Sequence, residues 1–148
     1  MIIWVDADAC PKVCREMLLR AGKRTGIMLH FVSNHPIPLP VDPKVKSFRV
    51  QAGFDCADHR ISQEIKAGEL LITQDIPLAA IVVDKGCQVI TPRGDLLTID
   101  TIQERLTLRN MMEELRGAGI PMGGPATLDQ RDRQRFGNAL DRWLSQHR

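Results

Sequence analysis

The chain has 148 residues, 43% of them hydrophobic and 26% charged, which suits one globular domain with a substantial core. Its 20 Lys/Arg against 18 Asp/Glu leave a net charge of +2, too mild to argue for nucleic acid by itself. No apolar run approaches the roughly 18 residues of a membrane span, the apolar opening is too short for a secretory signal, and Cys10, Cys14, Cys56 and Cys87 lack the dense spacing of a disulfide framework. The expectation is therefore a cytoplasmic protein with reduced thiols and no membrane partner.

Ile2, Ile3, Trp4 and Val5 form an apolar run that suits a strand buried on both faces. It stops on Asp6 and Asp8, followed by Pro11, a residue at home in the first turn of a helix. The spacing of Val13, Met17, Leu18 and Ala21 predicts a helix over 10–24, ended by Gly22 or Gly26. Residues 28–33 predict a second strand closed by Asn34, and the four prolines within 35–43 make that segment a loop or extended connector. A third strand is expected over 47–51, where Phe48 and Val50 alternate with polar neighbours. Ile61 and Ile65 then mark a helix ended near Gly68, and 70–73 a fourth strand that stops at Asp75. A helix over 76–85 with Pro77 in its first turn and a fifth strand over 88–91 follow. Residues 92–95 form a turn, and 96–99 return as a hairpin arm.

Thr101-Ile-Gln-Glu104 and Thr127-Leu-Asp-Gln130 read as capping boxes that open helices to Arg116 and Gln146. Every fourth residue of the last helix gives Leu128, Asp132, Phe136, Leu140 and Leu144. A carboxylate in that stripe needs a partner if buried. Asp132 is thus a structural residue, expected to pair with Arg93 or Arg105 and so dock the helix.

Strands alternating with helices imply an α/β, three-layer domain with a mostly parallel central sheet of about five strands, helices on both faces and a C-terminal helix. The expected organisation is one domain over 1–148: a core over 1–117, a Gly/Pro loop over 118–126, and a C-terminal helix over 127–146 packed on the core. Right-handed crossovers bring successive strand ends to one edge. Asp6, Asp8, Asn34 and Asp75 should gather there, with Asp58 facing the same edge.

Each aspartate alone has a bland reading. Asp8 or Asp75 can cap a helix, Asp58 can be solvated or a cap, and Asp55, after Gly53, can close a turn. Together they are costly, because two carboxylates about 5 Å apart repel by roughly 3 kcal/mol at an effective dielectric near 20. A bound cation relieves this, and hard oxygen ligands favour Mg²⁺ or Mn²⁺. Asp6 and Asp75 are the expected main ligands; Asp8 and Asp58 are expected to bind a second ion or orient the attacking water. Asn34, Asp55 and Thr73 support them.

These residues also carry a resemblance. Ile3-Trp-Val-Asp-Ala-Asp-Ala-Cys-Pro11, Gly53-Phe-Asp-Cys-Ala-Asp58, Thr73-Gln-Asp-Ile-Pro-Leu-Ala79, Pro92-Arg-Gly94, Arg105-Leu-Thr-Leu-Arg109, Gly123-Gly-Pro125 and Gln130-Arg-Asp-Arg133 resemble the YaiI/YqxD family of uncharacterised bacterial proteins over nearly the whole chain. More distantly, the chain is similar to PIN-like and NYN nucleases, which hydrolyse RNA with Mg²⁺ or Mn²⁺. In that likeness Asp6 matches the first acid, Asp55 or Asp58 the middle one, and Asp75 the last. The chain departs from the pattern at Ile76-Pro77, where such nucleases often carry another acid and where Asp8 is the replacement. The resemblance implies a PIN-like fold, a ribonuclease-like metal-dependent hydrolase, an RNA partner and pairing of two copies as a homodimer.

Three other readings compete. Asp-x-Asp after a strand resembles the haloacid-dehalogenase phosphatases, with Asp6 as nucleophile and Asp8 as acid/base, although Gln74-Asp75 supplies one late acid where paired acids are required. Cys10, Cys14, Cys56 and His59 suit zinc in type but lack a Cys-x-x-Cys pair. The non-enzymatic reading is an RNA- or protein-binding module on a nuclease-like scaffold, with Arg93, Arg105, Arg109, Arg131, Arg133 and Arg135 as phosphate contacts.

Overall fold

A computed structural model describes residues 1–51, 56–120 and 128–147 of the protein. Six strands form one sheet: β1 (Ile2–Asp6), β2 (Met28–Ser33), β3 (Val45–Arg49), β4 (Leu70–Ile72), β5 (Gln88–Ile90) and β6 (Leu96–Leu97). Their spatial order is β3-β2-β1-β4-β5-β6, parallel throughout except for β6, the returning hairpin arm. Five helices cover the sheet: α1 (Lys12–Thr25), α2 (Cys56–Glu64), α3 (Ile76–Asp84), α4 (Ile102–Gly117) and α5 (Gln130–Gln146).

The apolar run of β1 is explained by the two layers it separates. Ile3 and Val5 join Leu29 and Phe31 of β2 on one face, under Leu18 of α1 and Phe136, Leu140 and Trp143 of α5. Trp4 turns to the other face, where Ile61 of α2, Leu78 and Val82 of α3, and Ile102 of α4 cover it. Successive side chains of a strand alternate, so a strand covered on both sides needs apolar residues at every position. Parallel neighbours β2 and β3 are joined without a helix; Ile37 and Leu39 of the proline-rich connector pack on the α1/α5 side instead. Among the described residues, no helix is long and apolar enough to cross a membrane.

Several boundaries differ from the pattern in the sequence. After Asp6 the chain makes a 3-10 turn over Ala7–Ala9, which delays α1 to Lys12 with Pro11 at the N-cap. β3 begins two residues early, because its pairing with β2 runs from Leu29↔Val45 to Ser33↔Arg49. The Thr101 hydroxyl accepts from Thr98 N rather than from the first turn of α4, so the first expected capping box is absent. At α5 the N-cap is Asp129, while Thr127 lies outside the described residues. Asp129 Oδ1 accepts from Asp132 N at 2.9 Å and Asp132 Oδ2 accepts from Asp129 N at 3.2 Å, a box closed by an aspartate where Glu or Gln is usual. The backbone N–H of Asp132, joined by that of Arg131, holds the Asp129 carboxyl below the ordinary range. Arg93 Nη1 donates to the same Asp132 Oδ2 at 2.9 Å, tying the β5–β6 turn to the start of α5.

Candidate functional site at the carboxyl edge of the sheet

The chain winds outward from β1 through β2 to β3, then returns to place β4 on the other flank of β1. The strand order therefore reverses between β1 and β4. In open α/β sheets, the crevice at the carboxyl ends of two such strands is where ligands bind. Asp6 ends β1 there and Thr73 follows β4. Asp6 is 5% exposed, and its Oδ2 accepts from Thr73 Oγ1 at 2.9 Å. Thr73 Oγ1 in turn accepts from Asp75 N at 3.0 Å, and Asp75 Oδ1 caps α3 by accepting from Leu78 N at 3.1 Å. Burial pushes the Asp6 carboxyl above the usual carboxylate range, the Thr73 hydrogen bond opposes this, and the charges of Asp75 and Asp8 raise it further.

Asp8 has its own partners. Its Oδ1 lies 2.6 Å from His35 Nδ1 and its Oδ2 accepts from Asn34 N at 2.8 Å. Asn34 Oδ1 is 3.3 Å from the same His35 nitrogen. His35 escaped the sequence reading, yet it stands two residues past the end of β2, on the edge to which every parallel strand of this sheet points. Gln74 Nε2 donates to Ala9 O at 3.0 Å and ties the segment after β4 to the 3-10 turn after β1.

Asp58 lies half-buried in the first turn of α2, and Asp55 lies outside the described residues. The arginines separate. Arg93 is committed to Asp132, Arg105 and Arg135 flank Asp95, and Arg109 Nη1 donates to Asn110 Oδ1 on the exposed side of α4. Arg131 and Arg133 sit in the first turn of α5, and the charge of Arg133 reaches Cys14. All four cysteines are free thiols.

Among the described residues, no three His, Cys, Asp or Glu side chains converge as metal ligands, which leaves without support both the Cys10–Cys14–Cys56–His59 grouping and a joint ligand set of Asp6, Asp8, Asp58 and Asp75. The strand-end donors are carboxylate oxygens, suited to a hard cation. Asp8 is turned to His35 and Asn34, while Asp6 and Asp75 each have one oxygen engaged, by Thr73 and by Leu78 N, and are the carboxylates at the switch point that could hold one. Mg²⁺ is commonly held by one or two carboxylates completed by water and substrate phosphate, so two are enough.

The profile of a family described as "Uncharacterized BCR, YaiI/YqxD family" matches residues 4–146. The chain belongs to the YaiI/YqxD family. This member is 54% identical over 145 residues to a UPF0178 protein of Halorhodospira halophila, covering 98% of this chain and 96% of that one. It is 52% identical to a UPF0178 protein of Aliivibrio salmonicida with the same coverage, and 51% identical to one of Yersinia pestis over 100% of this chain and 97% of the relative. These names state no activity. No solved structure matches the chain.

Proposed function

We propose that this YaiI/YqxD protein hydrolyses phosphodiester bonds of RNA at the carboxyl edge of its sheet, with Mg²⁺ or Mn²⁺ held by Asp6 and Asp75. The observation that carries this reading is Asp6: a buried carboxylate at the switch point, destabilised by burial and by the charges of Asp75 and Asp8, and relieved by one neutral hydroxyl. Titratable groups perturbed in such places are functional candidates, and a cation is a partner that removes the penalty. The likeness to PIN-like and NYN nucleases supports the same chemistry.

Held there, such an ion would supply an activated water and offset charge on the phosphoryl oxygens. Asp6 and Asp75 would hold it, with Thr73 Oγ1 fixing Asp6 Oδ2. His35, aligned by Asp8 through Nδ1, carries a proton to the leaving ribose oxygen from its other nitrogen. Arg133, in the first turn of α5, faces substrate phosphate.

Calorimetric titration with Mn²⁺ tests the reading without a guess at sequence preference. Wild type is expected to bind and Asp6→Asn to lose binding, with RNA cleavage lost in the same variant. Unchanged Mn²⁺ affinity in Asp6→Asn would falsify the assignment. One observation favours a second reading, a non-catalytic RNA-binding module: among the described residues, no three metal-ligating side chains converge at this edge. RNA binding with neither Mn²⁺ uptake nor cleavage selects it.

A further inference from the structure

The edge strand β6 is only two residues long, so the sheet stops early between α5 on one face and the start of α4 on the other. The space beside it is a cavity of about 490 Å³, within the size range of small-molecule sites. Leu97, Ala139 and Trp143 form apolar wall, and Arg105, Arg135 and Arg142 supply charge. It lies two strands away from the β1/β4 switch point and shares no residue with the acidic edge.

The arginines are arranged for more than solvation. Arg105 Nη1 lies 3.3 Å from Asp95 Oδ2, and Arg135 Nη2 donates to Asp95 Oδ1 at 2.6 Å. One carboxylate thus holds two guanidiniums side by side, each by a single nitrogen. A guanidinium has five donors, so most of theirs remain uncommitted among the described residues. Arg142 makes no ion pair among the described residues. Glu104 also lines the cavity, which leaves three positive groups against two negative ones. Trp143 adds a second, independent observation. Its Nε1 is buried without an acceptor among the described residues, on a side chain 3% exposed. A buried N–H without a partner carries a desolvation penalty that a ligand acceptor would remove.

We infer that this cavity binds a phosphate monoester with an apolar or aromatic body. The phosphate engages Arg142 and the free donors of Arg105 and Arg135, and the body lies along Leu97 and Ala139, with an acceptor for the Trp143 indole N–H. Forked, charge-assisted contacts of this kind are what guanidinium groups provide to phosphate. A free mononucleotide and the phosphorylated end of an RNA present the same chemistry. The inference does not rest on the activity assigned to Asp6 and Asp75.

The protein reports on this site through its indoles. Trp4 Nε1 already donates to Glu69 Oε1 at 3.1 Å, so its ¹⁵N-correlated signal is an internal control for that of Trp143. Titration of the full chain with adenosine 5′-monophosphate is expected to shift the Trp143 indole signal and leave that of Trp4 in place. Adenosine without phosphate should bind at least about tenfold more weakly, and Arg142→Gln, an exposed substitution, should weaken the monophosphate about tenfold. A 5′-phosphorylated RNA tetranucleotide that binds more tightly than the monophosphate identifies an RNA end; equal or weaker binding identifies the free nucleotide. A Trp143 indole unmoved by millimolar monophosphate, or equal affinities for adenosine and its monophosphate, overturns the inference, as does an affinity unchanged by Arg142→Gln.

Discussion

At the carboxyl ends of β1 and β4, Asp6 carries a raised pKa because it is buried and because Asp75 and Asp8 add their charges. At the β5–β6 end of the same sheet, Asp95 lies between Arg105 and Arg135 and its charge is matched twice over. The first region holds acid against acid with a hydroxyl and a helix cap as relief; the second holds one acid as a clamp for cations. A fold does not need uncompensated carboxylates for its own stability. Their presence at one edge and their neutralisation at the other separate an acid-against-acid cluster from a clamped joint between the β5–β6 turn, α4 and α5, and the difference can be tested by substitution.

The largest effect should come from the joint. Gly94 has φ +89, and a Cβ there would lie 2.5 Å from the Arg135 carbonyl carbon and 2.7 Å from its oxygen. Gly94→Ala should therefore cost about 3 kcal/mol or more, seen as a lowered midpoint in urea denaturation. An unchanged midpoint would mean that the turn and α5 are not packed as described.

The two aspartates should then respond with opposite signs. Asp95→Asn leaves two guanidiniums facing each other and is expected to destabilise by about 1 kcal/mol, since the pair is partly exposed. Asp6→Asn keeps an acceptor for Thr73 while removing a buried charge, and should stabilise by about 0.5–2 kcal/mol, with ~2–4 °C in Tm for each kcal/mol. The pH dependence sharpens this. Because the Asp6 pKa is raised, the folded chain keeps a proton that the unfolded chain releases above its ordinary value of 3.8. The native state binds more protons in that window, so stability falls as pH rises through it. The advantage of Asp6→Asn should be absent below pH 3.8 and full above the folded pKa. If both substitutions lower Tm at neutral pH, repulsion at Asp6 is not the distinguishing feature.

The smallest expected effect concerns a buried group outside both regions. His30 has no partner for either ring nitrogen among the described residues and packs between Trp4 and Phe48, with ring centroids 4.7 and 5.0 Å away. Burial pushes its pKa below the ordinary 6.5, and Lys46 adds to this while Glu69 and Glu64 oppose it. The unfolded chain therefore takes up a proton first as pH drops, and stability is lost below pH 6.5. Tm should fall by about 1–2 °C more between pH 7 and 5 in wild type than in His30→Phe; parallel pH profiles would rule His30 out as the cause.

The sequence alone determined the alternation of strands and helices, the apolar strands buried on both faces, and the presence of acids just past strand ends. Those features rest on local periodicity and on the rule that parallel strands end at a common edge. It also marked Asp132 as a carboxylate in an apolar stripe, because a charge out of phase with its neighbours is visible without coordinates. Only the tertiary structure chose Arg93 over Arg105 as its partner, turned Asp8 toward His35, and brought Arg105, Arg135 and Arg142 beside Trp143 from helices on opposite faces of the sheet. Those choices depend on where an edge strand stops and how a helix crosses it, and such distances between remote segments leave no period in the chain that encodes them.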